Sequence, residues 1–235
     1  MKRLILLSMI DLKLIFRDQS LRIFLAMPLI ILLVVLVALP MLVDSYEGVQ
    51  RFVPIVLMGA TIQTSTMFAF IYGMVLIHEK DIQVSKIYGI LPVSKTGFVT
   101  TRLVFPFAIS SLATFILLFT QSFYSFSILS MLLLAILCGS VAPIMTLLVS
   151  IISKNKMEGL TWFKLINLIL TIPLVAFFIS KFGVLFGVIP SYWAFEMLDK
   201  MIGNEPYLLP FFIGLAFSIL LLLLCVKRFA KVHFL

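Results

Sequence analysis

Leu103 to Ser153 reads LVFPFAISSLATFILLFTQSFYSFSILSMLLLAILCGSVAPIMTLLVSIIS and contains no Asp, Glu, Lys or Arg. A helix needs about 20 apolar residues to cross roughly 30 Å of hydrocarbon. This run is too long for one crossing and fits two with a tight turn. Tyr124-Ser125-Phe126-Ser127 supplies the turn residues. An apolar charge-free run of this kind has no place on a water-facing surface, so the stretch predicts a pair of antiparallel transmembrane helices.

The same criterion extends along the chain, because one charge at mid-bilayer costs on the order of 3 kcal/mol on insertion scales. Ile23 to Val43 gives one span and Phe52 to Ile77 a second. Leu165 to Ser180, extended by Trp162 and Phe163 at an interface where aromatic rings settle, gives a fifth. Pro206 to Val226 completes six spans. Composition agrees: 63% of the 235 residues are hydrophobic and 12% are charged, about half the charge of a soluble domain. Mean hydropathy is +1.22. The expected fold class is all-α integral membrane, with residues 1–235 forming a single transmembrane domain. The N-terminal segment is expected to be retained, since Asp11 and Lys13 interrupt it and no small-residue cleavage site follows.

With six spans, both termini lie on one side. Fifteen of the 18 Lys and Arg residues fall on that side, leaving Arg51, Lys181 and Lys200 on the other. The positive-inside rule therefore places both termini in the cytoplasm. The net charge of +8 is accounted for by this asymmetry and needs no nucleic acid.

Two amphipathic segments stand at the expected cytoplasmic surface. Ile5, Met9, Leu12 and Phe16 form one helical seam, with Lys13 and Arg17 on another face. Charges at 11, 13, 17, 18 and 22 keep this segment out of the bilayer, so residues 1–20 are read as a helix lying along the membrane. The second is His78 to Gly97, HEKDIQVSKIYGILPVSKTG. Val84, Ile87, Tyr88 and Leu91 share a helical face, Gly89 and Pro92 stop it, and Ser94 is placed to cap the next helix. Such a charged, patterned segment reads as a docking surface for a soluble protein. A third loop, Ser153 to Lys164, could carry a short helix before the fifth span.

Glu79-Lys80-Asp81 followed by Ile90-Leu91-Pro92-Val93-Ser94 resembles the cytoplasmic loop of membrane subunits of type-2 ATP-binding-cassette exporters. Ser153-Lys154-Asn155-Lys156-Met157-Glu158-Gly159 before the fifth span and Pro190-Ser191-Tyr192-Trp193-Ala194-Phe195 before the sixth are similar to that family too. Gln83-Val84 stands where the family usually has a Gly-Thr pair. The resemblance covers essentially the whole chain and implies a drug- or antibiotic-export permease. Residues 1–20, through Ile5, Met9, Leu12, Phe16 and Arg17, would form the elbow helix. Residues 78–101 would form the coupling loop, with Glu79, Lys80, Asp81, Tyr88, Leu91, Pro92, Val93 and Ser94 seated on the partner. Residues 181–206 would form short re-entrant helices on the outer side, where Gly183, Gly187 and Pro190 permit tight turns.

The chain lacks G-x-x-x-x-G-K-[S/T] and any Gly-Lys pair, so it cannot cradle ATP by that motif. ATP and Mg would sit on a separate ATP-binding-cassette ATPase subunit. Six spans being half the usual twelve, the chain would work as a homodimer or with a paralogous permease, in a bacterial or archaeal plasma membrane. No catalytic residue is expected. The spans hold no ionisable residue beyond Lys181, which disfavours an ion-coupled carrier or an intramembrane enzyme. An ATPase-docked sensor or immunity subunit without transport is the alternative.

Weaker polar groups remain. Thr61, Thr64 and Ser65 share a face of the second span, Asn167 and Thr171 one of the fifth, and Ser110, Ser111 and Thr114 one of the third. Gln63, Thr64, Asn167 and Thr171 are the candidates for the path or the dimer seam, against interhelical hydrogen bonding as the plainer reading. Prolines 28, 40, 54, 106, 143 and 173 can bend spans. Cys138 and Cys225 are expected to pack as small hydrophobes, and His78 and His233 are too far apart in sequence to suggest a metal pair.

Overall fold

The structure is a computed structural model that describes residues 15–82, 95–178 and 183–233. Those residues are helical with short connections and contain no strand. Six helices are long and apolar enough to cross a membrane: Leu21–Ser45, Glu47–Asp81, Gly97–Thr120, Ile128–Ile152, Lys156–Phe177 and Leu208–Lys231. These match the six expected spans.

The first span is built from α1 (Gln19–Phe24), α2 (Met27–Leu33), a π-helical turn at Val34–Ala38 and α3 (Leu39–Ser45). Pro40 explains the π turn. Its ring would clash with the carbonyl four residues back and it has no N–H to donate, so the preceding turn widens. The second span enters through a 3₁₀ turn, Glu47–Phe52, and continues as α4 (Val53–Asp81). Pro54 sits in the first turn of α4, where a missing N–H costs nothing; it starts this helix and does not bend it.

The charge-free run forms α5 (Lys95–Thr120) and α6 (Ile128–Ile152), joined by residues 121–127. The turn falls where expected. Gln121 organises it, its Oε1 accepting from the backbone N–H of Phe123 at 2.9 Å and of Tyr124 at 3.0 Å. Ser127 caps α6 by accepting from Ser130 N at 3.1 Å. Pro106 and Pro143 lie inside α5 and α6.

The fifth span begins earlier than expected. Asn155 accepts from Glu158 N at 3.0 Å and caps α7 (Lys156–Thr171), so Lys156 to Lys164 form the span's own first turns and no separate short helix precedes it. Pro173 then forces a change to 3₁₀ over Ile172–Phe177. A second 3₁₀ turn, Gly183–Val188, leads to α8 (Pro190–Ile202), and α9 (Leu208–His233) is the sixth span.

Two helices form the centre. The most apolar windows of α4 and α6 are 78% and 72% buried, against 17% to 33% for the other spans. Small residues let the helices meet. Gly139 of α6 has no room for a Cβ, which would lie 2.0 Å from Ser111 Oγ of α5. Thr146 of α6 donates to the Ala69 carbonyl of α4 at 3.1 Å. Phe70 of α4 stands between Phe24 of the first span and Phe163 of the fifth, at centroid distances of 4.4 and 4.6 Å. Cys138 and Cys225 are buried thiols, as expected of small hydrophobes.

Candidate functional site

The notable charged construction lies where residues 83–94 leave α4 and enter α5. That end of the bundle also carries the start of α1, the end of α6 and the start of α7, and is called the basic end below. Residues 83–94, with the expected contact residues Tyr88, Leu91, Pro92, Val93 and Ser94, lie outside the described residues, as do Ile5, Met9 and Leu12 of the N-terminal helix and Lys181.

Glu79, in the last turn of α4, faces Arg102 of α5. Arg102 Nη1 donates to Glu79 Oε2 at 2.6 Å and Nη2 to Oε1 at 2.9 Å. Both side chains are within 6% of complete burial, and the guanidinium lies 5.3 Å from the Phe98 ring centroid. Within this chain Glu79 is turned inward onto Arg102. A carboxylate at this depth needs a fixed cation, and Arg102 supplies it. Arg102, counted in the sequence merely as one more basic-side charge, is the residue sequence reasoning missed. The available signal was one acid and one base in the two helices that flank the same loop.

Lys80 reaches the other way. Its Nζ donates to the Ser153 carbonyl at 2.8 Å, at the C-terminus of α6, where a cation also meets the negative end of the helix dipole. Glu158 Oε2 accepts from Lys154 N at 2.9 Å, and Lys156 of α7 pairs with Asp18 at 3.3 Å. Asp81 is exposed. Of the acid–base–acid set, then, one residue ties α4 to α5, one ties α4 to α6, and only the third faces solvent. Of the elbow residues, Phe16 is 61% exposed while Ile15 beside it is 1% exposed; Arg17 is exposed.

Along the facing second and fifth spans, a Cβ on Gly159 would meet Ile77 and Met74, Phe163 packs on Phe70, and a Cβ on Gly59 would meet Leu174. This antiparallel register of α7 on α4 sets Asn167 level with Thr66. Asn167 Oδ1 is buried with no hydrogen-bond partner among the described residues. Thr66 Oγ1 donates to the Gln63 carbonyl at 3.0 Å. By this register Gln63, Thr66 and Asn167 fall within about one helical turn of one another along the second and fifth spans. Thr64 does not join them: it is 1% exposed and donates to the Ala60 carbonyl of its own helix at 2.8 Å. Thr171 likewise bonds back, to Leu168 at 2.8 Å.

At the far end, Ser191 Oγ donates to the Leu170 carbonyl at 2.6 Å, and Trp193 Nε1 to the Gly187 carbonyl at 2.9 Å. These bonds fix α8 against the end of α7 and the 3₁₀ turn before it. Burial and the neighbouring Glu196 push the Tyr192 hydroxyl up to about 12.

Six apolar spans, four of them around a central pair, with a charged and internally braced rim at one end, define a multi-pass membrane protein. The chain belongs to the family described as "Fluoroquinolones export permease protein Rv2686c-like", whose model matches residues 11–226. That membership upholds the resemblance to drug-export permeases of the ATP-binding-cassette type. No curated protein matches the chain, and no solved structure matches it.

Proposed function

We propose that the chain is the membrane subunit of an ATP-driven exporter, forming the route for a hydrophobic or amphipathic drug while a separate ATPase subunit hydrolyses ATP. The single observation that carries this reading is the Glu79–Arg102 pair, with Lys80 beside it, at the root of the amphipathic 83–94 segment. A buried bidentate pair joins the two ends of that segment rigidly, and Lys80 extends the join to α6. Force applied to the segment therefore moves α4, α5 and α6 together instead of flexing a loop. The basic end faces the cytoplasm, where the ATPase subunits are.

The movement passes along α4 to the level of Gln63 and Asn167, and the apolar outer faces of the spans suit an amphipathic cargo. The family description names fluoroquinolones, planar amphipathic molecules that fit this class. Two copies of the chain enclose the route. The first and fifth spans, whose windows are 17% and 28% buried, provide the seam between them; Thr64 and most of the second span are packed inside one copy.

Purification of the complex from native membranes and export assays with a panel of substrates test the reading. An ATPase subunit that co-purifies, with ATP-dependent export of fluoroquinolones, is the expected result. A chain that transports without any ATPase, or a complex that hydrolyses ATP yet exports nothing, contradicts it.

A further inference from the structure

A cavity of about 290 Å³ opens at the basic end, where the first span, α4 and α7 converge; it is lined by Arg17, Asp18, Leu21, Val75, His78 and Lys156. Its floor is apolar, Leu21 and Val75 being 6% and 3% exposed. Its rim carries two cations and an imidazole. Among the described residues that line it, Asp18 is the one opposing charge, 3.3 Å from Lys156 Nζ. The flanking helices present open apolar faces to the bilayer: Phe16 is 61%, Ile23 58% and Leu168 63% exposed.

We propose that this cavity binds the phosphate-bearing headgroup of an anionic phospholipid. Arg17 and Lys156 hold the phosphate, His78 donates a hydrogen bond, and one acyl chain lies along Phe16 and Ile23. Two features favour a lipid over a free anion. The basic groups sit above a greasy floor at the depth where span residues begin, and the volume exceeds what a bare phosphate fills. Anionic surfaces attract juxtamembrane Lys and Arg at about 1 kcal/mol per residue. The site is independent of ATPase docking and of cargo, so its test is separate from theirs.

The test is native mass spectrometry of the purified full chain in neutral detergent, titrated with phosphatidylglycerol or with phosphatidylcholine. Phosphatidylglycerol is expected to be retained at about tenfold lower concentration than phosphatidylcholine. Arg17→Gln with Lys156→Gln should erase that preference. Arg228→Gln with Lys231→Gln, basic at the same end but outside the cavity, should leave it intact. Asp18→Asn should strengthen phosphatidylglycerol retention, a gain that misfolding cannot mimic. Equal retention of the two lipids, a preference that survives Arg17→Gln/Lys156→Gln, or weaker binding in Asp18→Asn overturns the proposal. So does inorganic phosphate alone occupying the site with the same dependence on Arg17 and Lys156.

Discussion

Glu79 and Arg102 illustrate how burial changes the meaning of a charge. An exposed ion pair contributes little, whereas removing one partner of a buried pair leaves an uncompensated charge and costs about 3–5 kcal/mol. Glu79→Gln and Arg102→Gln should each lower the thermal stability of the detergent-solubilised chain by that order. The reversed pair, Glu79→Arg with Arg102→Glu, should recover much of the loss; thermal unfolding of the three variants checks this. Lys80→Met should cost less, about 1 kcal/mol or under, because Lys80 is half-exposed and meets helix-end carbonyls and the nearby Glu158 without a buried ion pair. Sequence alone placed these residues correctly at the loop but could not show which way they point. Periodicity assigns a residue to a helix face, and whether that face meets solvent or another helix depends on packing across segments.

At the scale of the helix, the span boundaries were legible because hydrocarbon thickness and charge cost act on local composition. The run from Leu103 to Ser153 yielded α5, α6 and their turn as read. The fifth span was misjudged at its start because the charges of Lys156 and Lys164 were weighed against a span, although a helix can protrude beyond the hydrocarbon. Its cap, Asn155 with Glu158, was present in the sequence and marks the true start. Pro54 was misjudged for a related reason: a proline bends a helix only after its first turn. The close contact of α5 and α6 gives a further prediction. Gly139→Leu would drive side-chain atoms into Ser111, and even Gly139→Ala should destabilise by about 1–3 kcal/mol. A fall in unfolding temperature for Gly139→Ala, and loss of membrane-inserted protein for Gly139→Leu, are the expected readouts.

For the whole molecule, the sequence carried the six spans and the charge asymmetry, and it did not carry the order of packing. Charge-free stretches look alike to a hydropathy count, yet α4 and α6 form the centre and the other four spans surround them. Small residues such as Gly139 and Gly73, and hydroxyls such as Thr146 that bond across helices, make that distinction, and their partners lie tens of residues away. The expected orientation has a direct test. Asp81 and Asn204 lie at opposite ends and are exposed, while both native thiols are buried. In right-side-out vesicles, a membrane-impermeant maleimide should label Asn204→Cys and spare Asp81→Cys, with the pattern reversed in inside-out vesicles.

The central claim is that work done on the basic-end segment reaches the spans through the buried Glu79–Arg102 pair. The most direct measurement is the number of drug molecules moved per ATP hydrolysed, in proteoliposomes holding the chain with its ATPase subunit. The account predicts that Glu79→Gln retains hydrolysis while transport per ATP falls about tenfold, the scale of a lost coupling term of 1–2 kcal/mol, and that the reversed pair restores it. An unchanged ratio in folded, membrane-inserted Glu79→Gln would contradict the account.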